Sequence, residues 1–256
     1  MISIGTSGFD YDDWRGVFYP EALPRRSFLG FYSGRFDALE LNFSYYSLPR
    51  AEQLASMLER SEGRLRFSIK AHRSMTHERT AGEAEHEAFS RALEPLREAD
   101  RLAAVLAQFP HSFGQNEPNR RYLAGLAERL GPPLVVELRR SEWAADPILD
   151  WLRRIGVGYC CVDQPAIRGL MPPIAVSTAA PAYVRFHGRN AAKWYRHDNP
   201  AERYDYRYTA SELSEWVPEI RRLEKSAGDV LVFFNNHFQA KAVDAAEQLA
   251  ELLNNG

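Results

Sequence analysis

What this chain has least of is cysteine. Only Cys160 and Cys161 occur, adjacent within an apolar run. Neighbours in a strand point to opposite faces, so they read as two small core residues, and the fold must hold without a bridge between them. Long apolar runs are absent too. None approaches the roughly 20 residues of a membrane-spanning helix. The start, MISIGTSGF, lacks the basic and apolar regions of a secretory leader, so a cytoplasmic location is expected. Charge is nearly balanced at −2, which removes a global basic field for nucleic acid or an anionic membrane. GTSG and HGRN lack the spacing of a phosphate loop, which excludes the usual ATP, NAD and FAD fingerprints. Nothing calls for flavin, pyridoxal phosphate or an iron–sulfur cluster. No HxH or HExxH spacing occurs. No cofactor and no resident metal are therefore expected.

What is present is a sizeable core, with 45% apolar residues, and a regular alternation. Eight short apolar segments each close on polar residues: SIGTSG (3–8), ALELNF (38–43), RFSIKAH (66–72), AAVLAQF (103–109), LVVELR (134–139), GYCCVD (158–163), YVRFHG (183–188) and VLVFFNN (230–236). Their length and β-branched or aromatic content mark strands. Helical stripes separate most of them. Leu123, Leu126, Ala127 and Leu130 end at Gly131 with Pro132 beyond. Asp146, as N-cap, and Pro147 precede Ile148, Leu152 and Ile155. Thr209 and Glu212 form a capping box before Leu213, Trp216, Ile220 and Leu223, where Pro218 should bend the helix or delay its start. Leu54, Met57 and Leu58, and Val243 through Leu253, complete the set. Strands alternating with helices imply a parallel sheet, and eight of them favour one TIM-like (β/α)8 barrel over residues 1–256 rather than an open sheet. Residues 164–182 carry four prolines and no helical stripe, so a Pro-rich loop should replace the sixth helix.

Alternation then locates a site. In a barrel strand, successive side chains face the helices and the interior in turn. Val136 and Leu138 should face out, leaving Glu137 and Arg139 inward. The same test turns Glu40, Asn42, Lys70, His72, Gln108, Arg185 and His187 inward. It sends Cys160 and Val162 out and Asp163 in. The first and last strands give no parity. These polar ends surround the C-terminal mouth, where barrel active sites are built. A charged network that only fills the barrel is the competing reading. Two loops add aromatics near the mouth: FDYDDWRGVFYPEALP, with Trp14, and the long 188–208 connection, which reads as a lid carrying Trp194 and Tyr195.

The stretches IGTSGF, DWRGVFYP, ELNFSYY, FSIKAHRSMTH, QFPHSF, VVELRRSEW, the lone Asp163, YVRFHG and FFNNH run in this order through almost the whole chain. On these the chain resembles the YecE-like family, domain of unknown function 72. The resemblance implies a TIM-like barrel and no particular reaction. Its motif positions here are Thr6, Trp14, Glu40, Asn42, Lys70, His77, Gln108, Glu137, Arg139, Asp163, Arg185, His187, Gly188 and Asn235. His237 stands where the family often has Asp.

Several chemistries fit these residues. The favoured one is metal-free acid–base work on a small phosphate- or carboxylate-bearing substrate. In it Glu137 or Asp163 is the base, His187 a proton shuttle, and Lys70, Arg139 and Arg185 hold negative charge. Glu40, Asn42, Gln108 and Asn235 would orient these groups or the ligand, with Thr6 and His72 beside them. Trp14, Trp194 and Tyr195 would line or cover the entrance. The alternatives are a metal-dependent phosphoesterase or nuclease using His72, His187, His237 and the carboxylates, and glycoside hydrolysis by Glu40 and Glu137. A non-catalytic protein that binds an anion or nucleic acid also remains open.

Overall fold

The computed structural model of the chain describes residues 1–255. Eight strands, β1 (Ile2–Ser7), β2 (Ala38–Leu41), β3 (Arg66–Lys70), β4 (Leu102–Gln108), β5 (Leu134–Glu137), β6 (Gly158–Asp163), β7 (Ala182–Phe186) and β8 (Val230–Phe234), pair in parallel and in chain order into a closed barrel. Closure is made by β1 with β8, where Ile2 to Thr6 run beside Val230 to Phe234. Around it lie α1 (Phe28–Ser33), α2 (Ala51–Arg60), α3 (Arg73–Thr76), α4 (Glu83–Ala92), α5 (Glu94–Glu98), α6 (Glu117–Leu130), α7 (Asp146–Arg154), α8 (Ala210–Ala227) and α9 (Lys241–Asn255). Between β6 and β7 there is no helix, as the prolines imply.

Local chemistry explains the boundaries. The capping box opens α8, with Thr209 N donating to Glu212 at 2.8 Å, and Gly228 closes it in the left-handed region. Pro218 lies inside α8 on its exposed side and does not delay its start. The cap of α7 is Ala145, one residue before the expected Asp146, which sits with Pro147 in the first turn. No helix among the described residues is long and apolar enough to cross a membrane.

The two ends of the barrel differ. At the N-terminal end Arg66 clamps Asp229 with two hydrogen bonds, at 2.8 and 2.6 Å, and reaches Ser3 at 3.1 Å. Outside the barrel, Phe186 stacks on Phe234 at 4.5 Å while Trp216 of α8 meets it edge-on. Polar side chains accumulate inside at the other end.

Candidate functional site

The structure settles the parity of the two strands that the sequence left open. Ser7 of β1 points inward and accepts from Arg185 Nη2 at 3.3 Å. Asn235, just beyond β8, points inward to His187. With Glu40 (β2), Ser68 and Lys70 (β3), Gln108 (β4), Glu137 (β5), and Tyr183 and Arg185 (β7), seven of the eight strands or their ends bring polar groups to one mouth.

Arg185 is the hub. Its guanidinium, 1% exposed, donates through Nη2 to Glu40 Oε1 at 2.7 Å and through Nη1 to Glu137 Oε2. Tyr183 donates its hydroxyl to the other Glu40 oxygen at 2.7 Å and meets Ser68 at 2.7 Å. The second oxygen of Glu137 accepts from Gln108 Nε2 at 2.7 Å and lies 3.5 Å from Arg139 Nη2. The side-chain amide of Asn235 lies 3.1 Å from His187 Nδ1. An amide nitrogen only donates, so Nδ1 accepts and the imidazole proton is placed on Nε2, 3.2 Å from Glu137 Oε1. Burial keeps His187 below the usual imidazole range, with Glu137 opposing the shift.

Glu137 is therefore a poor base. Burial alone would raise its pKa, but Arg185, His187 and Arg139 outweigh that and hold it well below the usual carboxylate range. A depressed carboxylate contributes stability that is present above its unfolded pKa, about 4.3, and lost as pH falls through the folded value. Urea unfolding should show this. Below about pH 4 the wild type should lose stability more steeply than Glu137→Gln, by up to about 1.4 kcal/mol per pH unit for the one proton involved. Parallel acid limbs would mean that Glu137 is not held ionised.

Lys70 differs from the other charges. Nζ donates to Gln108 Oε1 at 2.6 Å and lies 4.6 Å from the centre of the Tyr45 ring. Among the described residues no carboxylate lies within ion-pair distance of it. Burial, with Arg185 next, lowers its pKa to about 8. It lines a cavity of about 310 Å³ together with Tyr11, Asn42, Tyr46, Gln108, Arg185, Tyr204, Asn235 and His237. Asn42 Oδ1 is buried there with no hydrogen-bond partner among the described residues. His237 stacks on Tyr11 at 4.5 Å, and burial, opposed by Asp13, lowers its pKa.

Several sequence expectations are corrected. Asp163 faces outward, not inward. Its carboxylate accepts from Tyr208 (2.6 Å), from Trp216 Nε1 (2.7 Å) and from Arg189 Nη2 (2.7 Å). The whole strand is turned one residue from the expected parity: Cys160 lies inside near Glu137 and Arg185, and Cys161 Sγ meets Val176 outside. Thr6 also faces the helices, where it bonds Tyr32 of α1. His72 caps α3 through Ser74 instead of entering the mouth. Trp14 is fully buried and ties the first loop to the last, donating to the carbonyl of His237 at 2.7 Å. Trp194, within the 188–208 connection, is buried 6.5 Å from the His187 ring, while Tyr195 is 61% exposed. Of the lid aromatics it is Tyr204 that lines the cavity.

These placements scatter the metal ligands considered from sequence. His72 is a cap, Asp163 lies outside the barrel, and Glu40 and Glu137 share one guanidinium. Among the described residues no three His, Cys, Asp or Glu side chains group to hold a metal. The carboxylate pair needed for glycoside hydrolysis is bridged by Arg185. Of the residues not foreseen, Tyr183 shares the parity of Arg185 and was readable. Tyr11 and Tyr46 sit on loops, where no alternation applies.

The lid is fastened from both sides. Asp163 holds Arg189, and Gly188 N donates to Tyr208 at 2.9 Å. Gly188 has φ +86°, and a Cβ there would lie 2.6 Å from Tyr206 Cβ, so only glycine fits this turn. Lys241 pairs with Asp205 from the other side.

Comparison with known proteins agrees with this architecture. A DUF72 family protein of Thermotoga maritima MSB8 is 36% identical, with a TM-score of 0.91 over 99% of both chains. One from Enterococcus faecalis V583 is 26% identical, with a TM-score of 0.86 over 99% of this chain and 96% of that one. The UPF0759 protein YunF of Bacillus subtilis (strain 168) is 31% identical across 99% of this chain and 95% of its own length. A D-psicose 3-epimerase of Clostridium cellulolyticum H10, 9% identical with a TM-score of 0.53 over 99% of this chain and 96% of that one, shares the barrel fold alone. The family model described as a protein of unknown function, DUF72, matches residues 3–256, and the chain belongs to that family.

Proposed function

We propose that the mouth is the active site of an enzyme acting on a small anionic substrate, one bearing a phosphate or carboxylate group. The observation that carries this reading is the charge balance. Arg185 is consumed by Glu40 and Glu137, while Lys70, bonded to an amide and set against an aromatic ring, faces the cavity with no carboxylate within ion-pair distance among the described residues. Arg139, 16% exposed, adds positive charge nearby. A ligand anion would complete the set. The cavity, about 310 Å³, suits a small molecule better than a nucleic-acid strand. Asn42 and Asn235 would orient the ligand. Acid–base work passes from Glu137, which is pinned ionised, to Lys70 and to the neutral imidazole of His237.

Thermal and urea unfolding in the presence of inorganic phosphate test this. At about a hundred times its dissociation constant, phosphate should stabilise the wild type by about 2.7 kcal/mol, and Lys70→Met should remove most of that gain. Absence of stabilisation by phosphate, sulfate and small carboxylates alike would refute the reading.

A further inference from the structure

Lysine is scarce in this chain. Of its 32 basic residues only Lys70, Lys193, Lys225 and Lys241 are lysines. Ion pairing is left mainly to arginine. Lys193 holds Glu202 at the surface, Lys241 holds Asp205, and Lys225 is exposed near the end of α8. Lys70 lines the cavity at the mouth, and the charges around it are peculiar. Two guanidiniums, Arg185 from β7 and Arg139 after β5, disfavour its proton. Glu137 and Glu40 favour it, but both are engaged by Arg185. The Tyr45 ring favours the charged form, while Gln108 Oε1 accepts equally from an amine or an ammonium. Half-buried His77, edge-on to Tyr45, is itself lowered to about 4 by burial and by Lys70, so it brings no negative charge and no competing proton.

For anchoring an anion, a guanidinium would serve as well, and the chain supplies arginine almost everywhere else. What a guanidinium cannot supply is a deprotonatable amine. A desolvated lysine beside another cation is the usual way to prepare such a nucleophile.

We propose that Lys70 is a covalent nucleophile whose Nζ condenses with the carbonyl carbon of a small oxo acid or oxo phosphate held in the mouth. This rests on the anionic-substrate reading above and narrows it to carbonyl compounds. The amine lone pair attacks the carbonyl carbon, and the C=O electrons move to oxygen, which takes a proton. The carbinolamine then expels that oxygen as water, and the C=N bond forms. In total, one ammonium and one carbonyl give one protonated imine and one water, with charge conserved and no oxidant or reductant needed. Gln108 fixes the position of Nζ. Asn235 lines the cavity where the anionic group would be held, Arg139 adds positive charge beside Glu137, and His237, on the same cavity, would carry the proton to the departing oxygen.

The test is reductive trapping. The full chain is incubated separately with pyruvate, glyoxylate and dihydroxyacetone phosphate, each with sodium borohydride, and the product is mapped by mass spectrometry. A single reduced adduct on Lys70 with at least one probe is expected. Its yield should rise through about pH 8 and fall when inorganic phosphate competes. Lys70→Arg should still be stabilised by phosphate yet give no adduct. The assignment does not depend on that variant folding, because four lysines and one amino terminus make the wild-type peptide map unambiguous. No adduct on Lys70 with any probe, or adducts only on Lys193, Lys225, Lys241 or the amino terminus, would overturn the proposal. If phosphate still stabilises the wild type in that case, the anion reading survives and only the imine fails. If phosphate does not bind either, both fall.

Discussion

Replacing Arg185 with Met should lower the unfolding free energy at neutral pH by about 3–5 kcal/mol, the range for stripping one partner from a buried ion network. The reason is desolvation. Glu40 and Glu137 are 0% and 1% exposed, and Arg185 bonds both. Without it, Glu40 keeps Tyr183, and Glu137 keeps Gln108, His187 and a distant Arg139. Two carboxylates in a dry interior would then face each other with too little positive charge. The penalty should shrink when the carboxylates are removed as well. The triple variant Glu40→Gln, Arg185→Met, Glu137→Gln should recover most of the loss, because a buried ion network is worth little against a neutral core of similar volume. Urea unfolding of the single and triple variants checks this. A single variant within about 1 kcal/mol of wild type would show that the network is neither dry nor coupled.

Asp163→Asn should have the second-largest effect, and it should be centred on the lid. The buried carboxylate of Asp163 accepts from Tyr208, Trp216 and Arg189. An asparagine offers one acceptor and turns an NH2 group toward donors. A loss of about 2–4 kcal/mol is expected, from unmet buried donors and a broken charged hydrogen bond. Arg189 keeps Glu215 at 2.8 Å, which limits the loss. The more diagnostic readout is limited trypsin digestion. Arg189, Lys193, Arg196 and Arg203 lie in the segment that Asp163 fastens. Cleavage there should quicken by at least about ten-fold if local opening becomes easier by 1.4 kcal/mol or more. Destabilisation spread evenly, with no preferred cutting in 189–203, would contradict the anchoring role.

The lid anchor also shows where reading by alternation fails. In RFSIK and LVVELR the polar side chains stand out against apolar neighbours, so period two assigns Lys70 and Glu137 to the interior without ambiguity. GYCCVD offers no such contrast. Both faces of β6 are apolar, Cys160 and Val162 against one side and Cys161 against the other, and a one-residue slip reverses every direction. Asp163 was assigned from a run that carried no phase information. Thr6 belongs to a strand with the same defect. His72 and Trp14 failed for a different reason: both lie past a strand end, where a helix cap and a loop–loop tie use the side chain before the mouth can.

Composition and periodicity marked eight strands alternating with helices, which favoured a barrel, and they placed a Pro-rich loop in the sixth helix's position and polar groups at one end. Those properties are local, because a strand's two faces are written in adjacent residues. Which charges cancel was decided only by tertiary structure. Glu40, Glu137 and Arg185 come from strands far apart in the chain, and the distance that makes them one ion network exists only once the barrel closes. The same closure leaves Lys70 beside an amide instead of a carboxylate, and on that difference rests the proposal that its amine reacts.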